Sequence, residues 1–117
     1  MPHPAEAHLL HELLFRASET GADRPALTHG AEHLAYAQLA SEVAAAAAGL
    51  VALGLSRTAR VLIWLEKRPE MVVAAFGATA AGGVMVPANP LLKPEQVLHI
   101  ARDCAPEVLI TSPERLA

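Results

Sequence analysis

The run from Met71 to Leu92, twenty-two residues without a charged side chain, most constrains what this chain can fold into. A membrane span needs about 20 predominantly apolar residues in one continuous helix, because lipid offers no hydrogen-bond partner to the backbone. Here Gly82 and Gly83 weaken any helix, and Pro87 and Pro90 each remove a backbone donor. The run is therefore predicted to form two elements of a protein core and no membrane span.

These two elements are predicted to be a helix and a strand. Pro69 suits the first turn of a helix, where a missing N–H does no harm, so the helix is placed at 69–81. The glycine pair then turns the chain into a short strand at 84–86. Because both elements are apolar all round, we expect both to be buried in protein.

The flanking segments continue an alternation of strands and helices. The run from Ala59 to Leu65 is apolar and continuous, as in a strand covered on both faces. A helix from Pro94 to about Cys104 precedes a strand from Glu107 to Thr111. Such alternation is typical of βαβ crossovers. We predict that the strands at 61–65, 84–86 and 107–111 lie parallel in one sheet.

The first half of the chain predicts an N-terminal helix, from His8 to about Thr20, and a short hairpin. The hairpin comprises the brief β-like runs "PALTHG" and "EHLAY" around Gly30. An alanine-rich helix is predicted from Ala37 to Gly54. The fold class is thus α/β, a parallel βαβαβ layer preceded by a helix and a hairpin. The apolar positions at helical spacing are Leu10, Leu13, Leu14 and Ala17, then Leu39, Val43, Ala46, Leu50 and Leu53.

Composition excludes several classes of function. A chain of 117 residues fits one domain, and 53% hydrophobic content excludes disorder. The formal charge of −3 and scattered basic residues give no reason to expect nucleic acid. Cys104 is the single cysteine, so no disulfide framework exists. The first residues do not resemble a signal peptide, so we expect a cytoplasmic location.

No motif assigns a catalytic, cofactor-binding or metal-binding residue. Gly77, Gly82 and Gly83 do not form a phosphate-binding glycine loop, and no serine stands in a G-x-S-x-G context. His8 and His11 are three residues apart and could share a metal, but no third ligand follows, so surface histidines are favoured.

The remaining candidates have simple structural interpretations. His29 and His33 flank the predicted hairpin turn, and His99 lies on the polar side of its helix. Cys104 lies on the apolar face of that helix, which favours a buried, inert thiol over a nucleophile.

A charged cluster directly follows the predicted strand at 59–65, where function would lie in a parallel sheet. A solvated loop before a helix is the favoured interpretation. The cluster consists of Glu66, Lys67, Arg68 and Glu70.

Taken in order, the motifs resemble the N-terminal part of the adenylate-forming superfamily of acyl-CoA synthetases, adenylation domains and luciferases. The resemblance extends from about Leu9 to Thr111. It rests on "LLHELLFRASETGADRPAL", on "LAYAQLASEVAAAAAGLVALGL" and on "ARVLIWLEKRPEMVVAAFGATAAGGVMVPANPLLKPEQVLHIARDCAPEVLIT". The uncharged run corresponds to the helix and strand that end in the family's Pro-x-Asn-Pro turn.

The chain differs from the family pattern in two loops, and it contains none of the family's catalytic and nucleotide-binding motifs. Thr58-Ala59-Arg60 stands where the family usually has Gly-Asp-Arg, and Lys67-Arg68 replaces Asn-Ser. The family's phosphate loop, adenine motif, ribose-binding Asp and catalytic Lys are expected beyond Ala117. Ser112 and Pro113 also begin a new helix near the end. We therefore expect residues 1–117 to be a single N-terminal subdomain, truncated from a larger AMP-forming ligase.

The resemblance implies a parent enzyme that uses ATP, Mg and CoA to activate a carboxylate, as in fatty acid metabolism. The carboxylate attacks the α-phosphorus of ATP, pyrophosphate leaves, and the acyl group passes to the thiol of CoA. The fragment itself is expected to be an inactive scaffold that binds no cofactor. Lys93 lies close to where some relatives contact the CoA nucleotide, although solvation is the favoured interpretation.

Two partners are expected, the remainder of the ligase chain and a second copy of the fragment. The alternative function is a self-sufficient α/β interaction or small-molecule-binding module without catalysis.

Overall fold

The computed structural model describes residues 10–116. Two helices and a hairpin precede a regular alternation of strands and helices. In chain order the elements are α1 Leu10–Thr20, β1 Pro25–His29, β2 Glu32–Ala35, α2 Tyr36–Ala52, β3 Arg60–Trp64, α3 Pro69–Ala80, β4 Val84–Pro87, α4 Pro94–Cys104, β5 Val108–Thr111 and α5 Pro113–Leu116.

The sheets have the predicted topology. The strands β4, β3 and β5 form one parallel sheet in that order, with Leu62 opposite both Val86 and Leu109. β1 and β2 pair antiparallel, and Gly30 between them has a positive φ of 62°. The predicted α/β class, parallel layer and hairpin are therefore confirmed.

Alternating side chains of β3 build two layers of core, because successive residues of a strand point to opposite faces. Val61 and Ile63 pack with Ala78 of α3 on one face. Leu62 and Trp64 pack with α4 on the other face. The two crossover helices therefore cover opposite faces, and β3 is buried on both, as its apolar run predicted.

Helix α3 lies at the centre of the helical layer. A further cluster joins Leu14 of α1 and Val43 of α2 to Val72 and Phe76 of α3. No residue from 71 to 80 is exposed. The uncharged part of this helix, residues 71–80, is thus buried or half-buried within its own chain, as predicted. Within residues 10–116, no helix combines the length and apolarity that crossing a membrane requires.

Three apolar residues lie outside the core, contrary to prediction. Leu13 is 58% exposed, because α1 buries Leu14 instead. Leu53 is 75% exposed, because α2 ends at Ala52. Val84 is 46% exposed, because β4 is an edge strand of the described sheet. The prediction that the 84–86 strand is buried is therefore wrong at Val84.

Hydrogen bonds tie the ends of β3 and β5 to neighbouring loops. The Glu107 carboxylate accepts a hydrogen bond from the Ser56 backbone N–H at 2.9 Å, which lowers the pKa of that carboxyl. Arg60 donates to the Cys104 carbonyl at 2.7 Å. These contacts fix the start of β5 beside the start of β3.

Close approach of α2 and α3 depends on Gly77, and its substitution tests this packing. A Cβ at Gly77 would lie 2.9 Å from the Ala46 Cβ, closer than two such atoms can approach. We expect Gly77→Ala to lower the free energy of unfolding by about 1–2 kcal/mol, because an overpacking cost of about 1–3 kcal/mol exceeds the gain in helix propensity.

The matched control is Gly49→Ala on α2, where a Cβ would meet nothing within 4 Å. This variant should gain up to about 1 kcal/mol from helix propensity. Urea denaturation measures both changes. Stabilisation by both substitutions would contradict the close packing of α2 on α3.

Candidate functional site

The carboxyl edge of the parallel sheet is the candidate site, because open α/β sheets bind ligands where their strands end. Three segments meet there. They are residues 65–68 after β3, residues 88–93 after β4 and the residues from Ser112 onward after β5. Pro69 and Pro94 begin the helices that follow the first two segments.

A carboxylate and two guanidinium groups form the charged centre of this edge. One oxygen of Glu66 lies 2.7 Å from Arg115, and the other lies 3.4 Å from Arg68. The side chain of Arg115 is only 15% exposed, whereas that of Glu66 is 51% exposed. A single carboxylate therefore bridges the two guanidinium groups.

Sequence reasoning identified Glu66 and Arg68 but missed Arg115. The chain brings Arg115 to them through α5, which follows the neighbouring strand β5. The signal that could have found it is a basic residue a few positions past another strand of the same predicted sheet, as Arg68 is past β3. Lys67 and Glu70 are exposed, so the solvated-loop interpretation holds for these two residues.

Trp64 places an aromatic ring beneath this cluster. The guanidinium carbon of Arg115 lies 4.8 Å from the Trp64 ring, a cation–π distance. The Thr111 hydroxyl donates to the Trp64 carbonyl at 2.7 Å, which joins the ends of β3 and β5. The pKa of the Glu114 carboxyl is lowered mainly by a hydrogen bond from its own backbone N–H, then by the Ser112 side chain, and least by the charge of Arg68.

The ends of β3 and β5 form a topological switch point. After β3 the chain enters α3 on one face of the sheet, whereas Arg115 of α5 packs on Trp64, which faces α4 on the other. Chain segments that diverge in this way leave a crevice between the strand ends, where ligands commonly bind.

The segment after β4 is a compact turn. The Asn89 side chain accepts a hydrogen bond from the Leu91 N–H at 2.9 Å, and the Gln96 side chain accepts one from the Lys93 N–H at 2.8 Å. A cavity of about 550 Å³ lies beside this turn, with Lys67 at its wall. Lys93 is exposed and does not line that cavity. Its role toward CoA stays a prediction.

The described residues do not fit the phosphates of ATP. A phosphate cradle needs a glycine-rich turn between a strand and a helix. The segments 65–68 and 88–93 contain no glycine. A cavity of about 780 Å³ is lined in part by Glu32, Glu42 and Glu70, whose negative charges disfavour phosphate. We therefore derive no step through ATP on these residues.

The other candidate residues lie apart from this edge. His29 and His33 are exposed, and His99 is exposed and lies 3.7 Å from Asp103. Cys104 is half-buried, so the expectation of full burial is wrong, because α4 ends there at the rim of the sheet.

The proposed pair of His8 and His11 is only partly described. His8 lies outside the described residues. His11 is half-buried against Phe15, so it is not the surface residue expected. Within residues 10–116, no group of three or more potential metal ligands occurs.

The fold and the switch point define an α/β protein built to carry a site at its sheet edge. Comparison with known proteins gives the family. The family model for AMP-binding enzymes matches residues 14–117. The chain belongs to the AMP-binding enzyme family, the adenylate-forming enzymes.

Curated relatives include two CoA ligases and a malpinin synthetase. The chain is 34% identical over 93 residues to 3-hydroxybenzoate-CoA ligase of Aromatoleum sp. (strain CIB), covering 80% of this chain and 18% of that enzyme. It is 33% identical over 104 residues to 4-coumarate:CoA ligase 1 of Petunia hybrida, covering 87% of this chain and 19% of that enzyme. It is 31% identical over 101 residues to malpinin synthetase of Mortierella alpina, which covers 86% of this chain and 1% of that synthetase. The chain thus spans less than a fifth of each of these relatives.

Solved structures give the same result. The anthranilate CoA ligase AuaEII in complex with anthranoyl-AMP matches with a TM-score of 0.88 at 28% identity, over 97% of this chain and 22% of that one. The N-terminal subdomain of Klebsiella oxytoca NpsA, in complex with 3-hydroxyanthranilyl-AMSN, matches with a TM-score of 0.84 at 25% identity. The match covers 90% of this chain and 27% of that one. The described fold is therefore that of part of an N-terminal subdomain of an adenylate-forming enzyme.

Proposed function

We propose that this chain is the N-terminal scaffold of an AMP-dependent acyl-CoA synthetase, which adenylates a carboxylate with ATP and then forms a thioester with CoA. Residues 1–117 form a single subdomain that is inactive alone and acts in the cytoplasm together with the remainder of its ligase chain. The acid could be aliphatic or aromatic, since the similar proteins include aryl-CoA ligases.

One observation carries this proposal. The family match covers residues 14–117, yet neither segment between a strand and a helix at the sheet edge has a phosphate cradle. A chain with the family's framework but without its nucleotide-binding loop is suited to support chemistry that other segments perform. ATP, Mg and CoA would be held by those segments, where ATP would supply the activating adenylyl group.

The described residues can perform the scaffold's task physically. The buried strand β3 holds the loop at 65–68 in place, and the Glu66–Arg115 ion pair ties that loop to the end of β5. Helix α3, whose residues 71–80 are all buried or half-buried, fixes the angle at which the chain leaves β3. A rigid support of this kind keeps a neighbouring site in its productive geometry.

A segment exchange tests the proposal. The matched segment of the Aromatoleum 3-hydroxybenzoate-CoA ligase is replaced by this chain. We expect the chimaera to form the CoA thioester of 3-hydroxybenzoate, because the framework is equivalent. The control carries Ile63→Asp as well, which places a charge in the core and should abolish activity. A chimaera that melts cooperatively but has no ligase activity would support the self-sufficient binding module instead.

A further inference from the structure

The cavity of about 780 Å³ is a groove on the face of the sheet that α3 covers, and is called the α2–β5 groove. Helices α2 and α3 form its walls, and residues of the hairpin strand β2 and of the sheet strand β5 also line it. Most of its lining is apolar. The apolar residues used in the argument are Leu34, Leu50, Val73, Ala74 and Ile110.

The core layer beneath α3 is incomplete over β5. Ile110 lies opposite Ile63 in the parallel sheet, so the two side chains belong to the same face. Ile63 is 1% exposed, whereas Ile110 is only half-buried, because α3 packs on β3 and β4. An apolar group from another segment would complete this layer above Ile110.

Three exposed carboxylates surround the apolar floor of the groove. Glu32, Glu42 and Glu70 line it, and no lysine, arginine or histidine of the described chain does so. Within residues 10–116 these three glutamates form no ion pair. An ionised carboxylate only accepts hydrogen bonds, and it binds charged N–H donors more strongly than neutral ones. The groove is therefore complementary to an apolar surface flanked by lysine or arginine.

An amphipathic helix has this combination of surfaces. Its apolar stripe can lie in a hydrophobic groove, and the basic residues beside the stripe remain at the rim. Here Glu42 stands on the α2 wall and Glu70 on the α3 wall, so both rims present a carboxylate. The matched segments make up only 18% and 19% of the two related CoA ligases, so most of each ligase lies outside them and can supply such a helix.

We propose that the α2–β5 groove is the docking site of a basic amphipathic helix from the remainder of the ligase chain. The apolar stripe of that helix lies on Leu50, Val73 and Ile110, and its basic residues pair with Glu42 and Glu70. This inference rests on the proposed function, and it adds the surface and the charge through which the two parts of the ligase join.

The first test measures the binding of a synthetic helix to the 117-residue chain. The probe is a fluorescein-labelled amphipathic peptide of leucine and lysine, and fluorescence anisotropy follows its binding. We expect saturable binding that weakens as salt is added, because salt screens exposed charge pairs. The same peptide with glutamate in place of each lysine should not bind. Equal binding of the two peptides would overturn the proposal.

Two double variants with the same change in net charge locate the binding surface. Glu42→Gln combined with Glu70→Gln should weaken binding of the lysine peptide about tenfold, because two charge pairs at the rim are lost. The matched control, Glu19→Gln combined with Glu95→Gln, removes two carboxylates from α1 and α4 and should leave the affinity nearly unchanged. All four glutamates are exposed, so both variants should fold. Equal affinities of the two variants would overturn the proposal.

The chimaera with the Aromatoleum ligase tests the source of the helix. Because the remainder of the ligase would already occupy the groove, the lysine peptide should bind the isolated chain but not an active chimaera. Undiminished peptide binding by an active chimaera would overturn the proposal, since the groove would then serve an independent partner. Failure of the proposed function would appear differently, as a chimaera that folds but has no ligase activity.

Discussion

Replacing Ile63 by alanine is expected to lower the free energy of unfolding by about 2–5 kcal/mol, the usual cost of truncating a large buried side chain. Ile63 is 1% exposed and lies in the middle of β3, the central strand. It packs in the same cluster as Leu50 of α2 and Ala74 of α3. Because net stabilities are about 5–15 kcal/mol, this variant should be close to unfolding at 37 °C.

The matched control is Val84→Ala, also a β-branched residue in the same sheet. Val84 is 46% exposed on the edge strand β4, so its truncation should cost about 1 kcal/mol or less. Urea denaturation followed by circular dichroism measures both values. Equal losses in the two variants would contradict the assignment of β3 as the buried centre of the sheet.

The second large effect is self-association, which raises the molecular mass measured in solution. We expect it because the outer face of α2 is apolar. Ala44, Ala45 and Ala48 are exposed there, and Val51 and Leu53 are 59% and 75% exposed. No charged residue occurs between Val43 and Ser56. Exposed apolar surface is unfavourable by about 25 cal/mol for each Å². We therefore expect a symmetric dimer through this face, since two-fold dimers are the commonest closed assembly.

Light scattering over a concentration series measures this association. The wild-type mass should rise from 12.3 kDa toward twice that value. Ala48→Glu should keep the chain monomeric, because it places a charge in the middle of the face. Ala37→Glu, an exposed alanine at the start of the same helix, is the matched control and should still dimerise. A wild-type chain that stays monomeric at high concentration, without detergent, would contradict this prediction.

Local signals in the sequence were sufficient for most of the fold. Pro69 and Pro94 gave the starts of α3 and α4, and the glycine pair after α3 gave the start of β4. The parallel sheet followed from the alternation of strands and helices. Burial was harder to predict, because periodicity identifies an apolar face without showing what covers it. Leu13 and Leu53 have the spacing of core residues, but no element of the described chain packs over them.

The candidate site was predictable only in part for a related reason. The charged residues after β3 were found because they follow a strand directly. Their partner Arg115 is 47 residues beyond Arg68 in the sequence, and only the pairing of β3 with β5 brings the two together.

ATP–pyrophosphate exchange by the purified 117-residue chain tests most directly the claim that it supplies a framework and not the chemistry. The chain is supplied with ATP, Mg and a panel of fatty and aromatic acids, and the intact Aromatoleum 3-hydroxybenzoate-CoA ligase with its own acid is the positive control. We expect no exchange above background with any acid, because the segments 65–68 and 88–93 have no phosphate cradle. Sustained exchange that depends on the added acid would contradict the account.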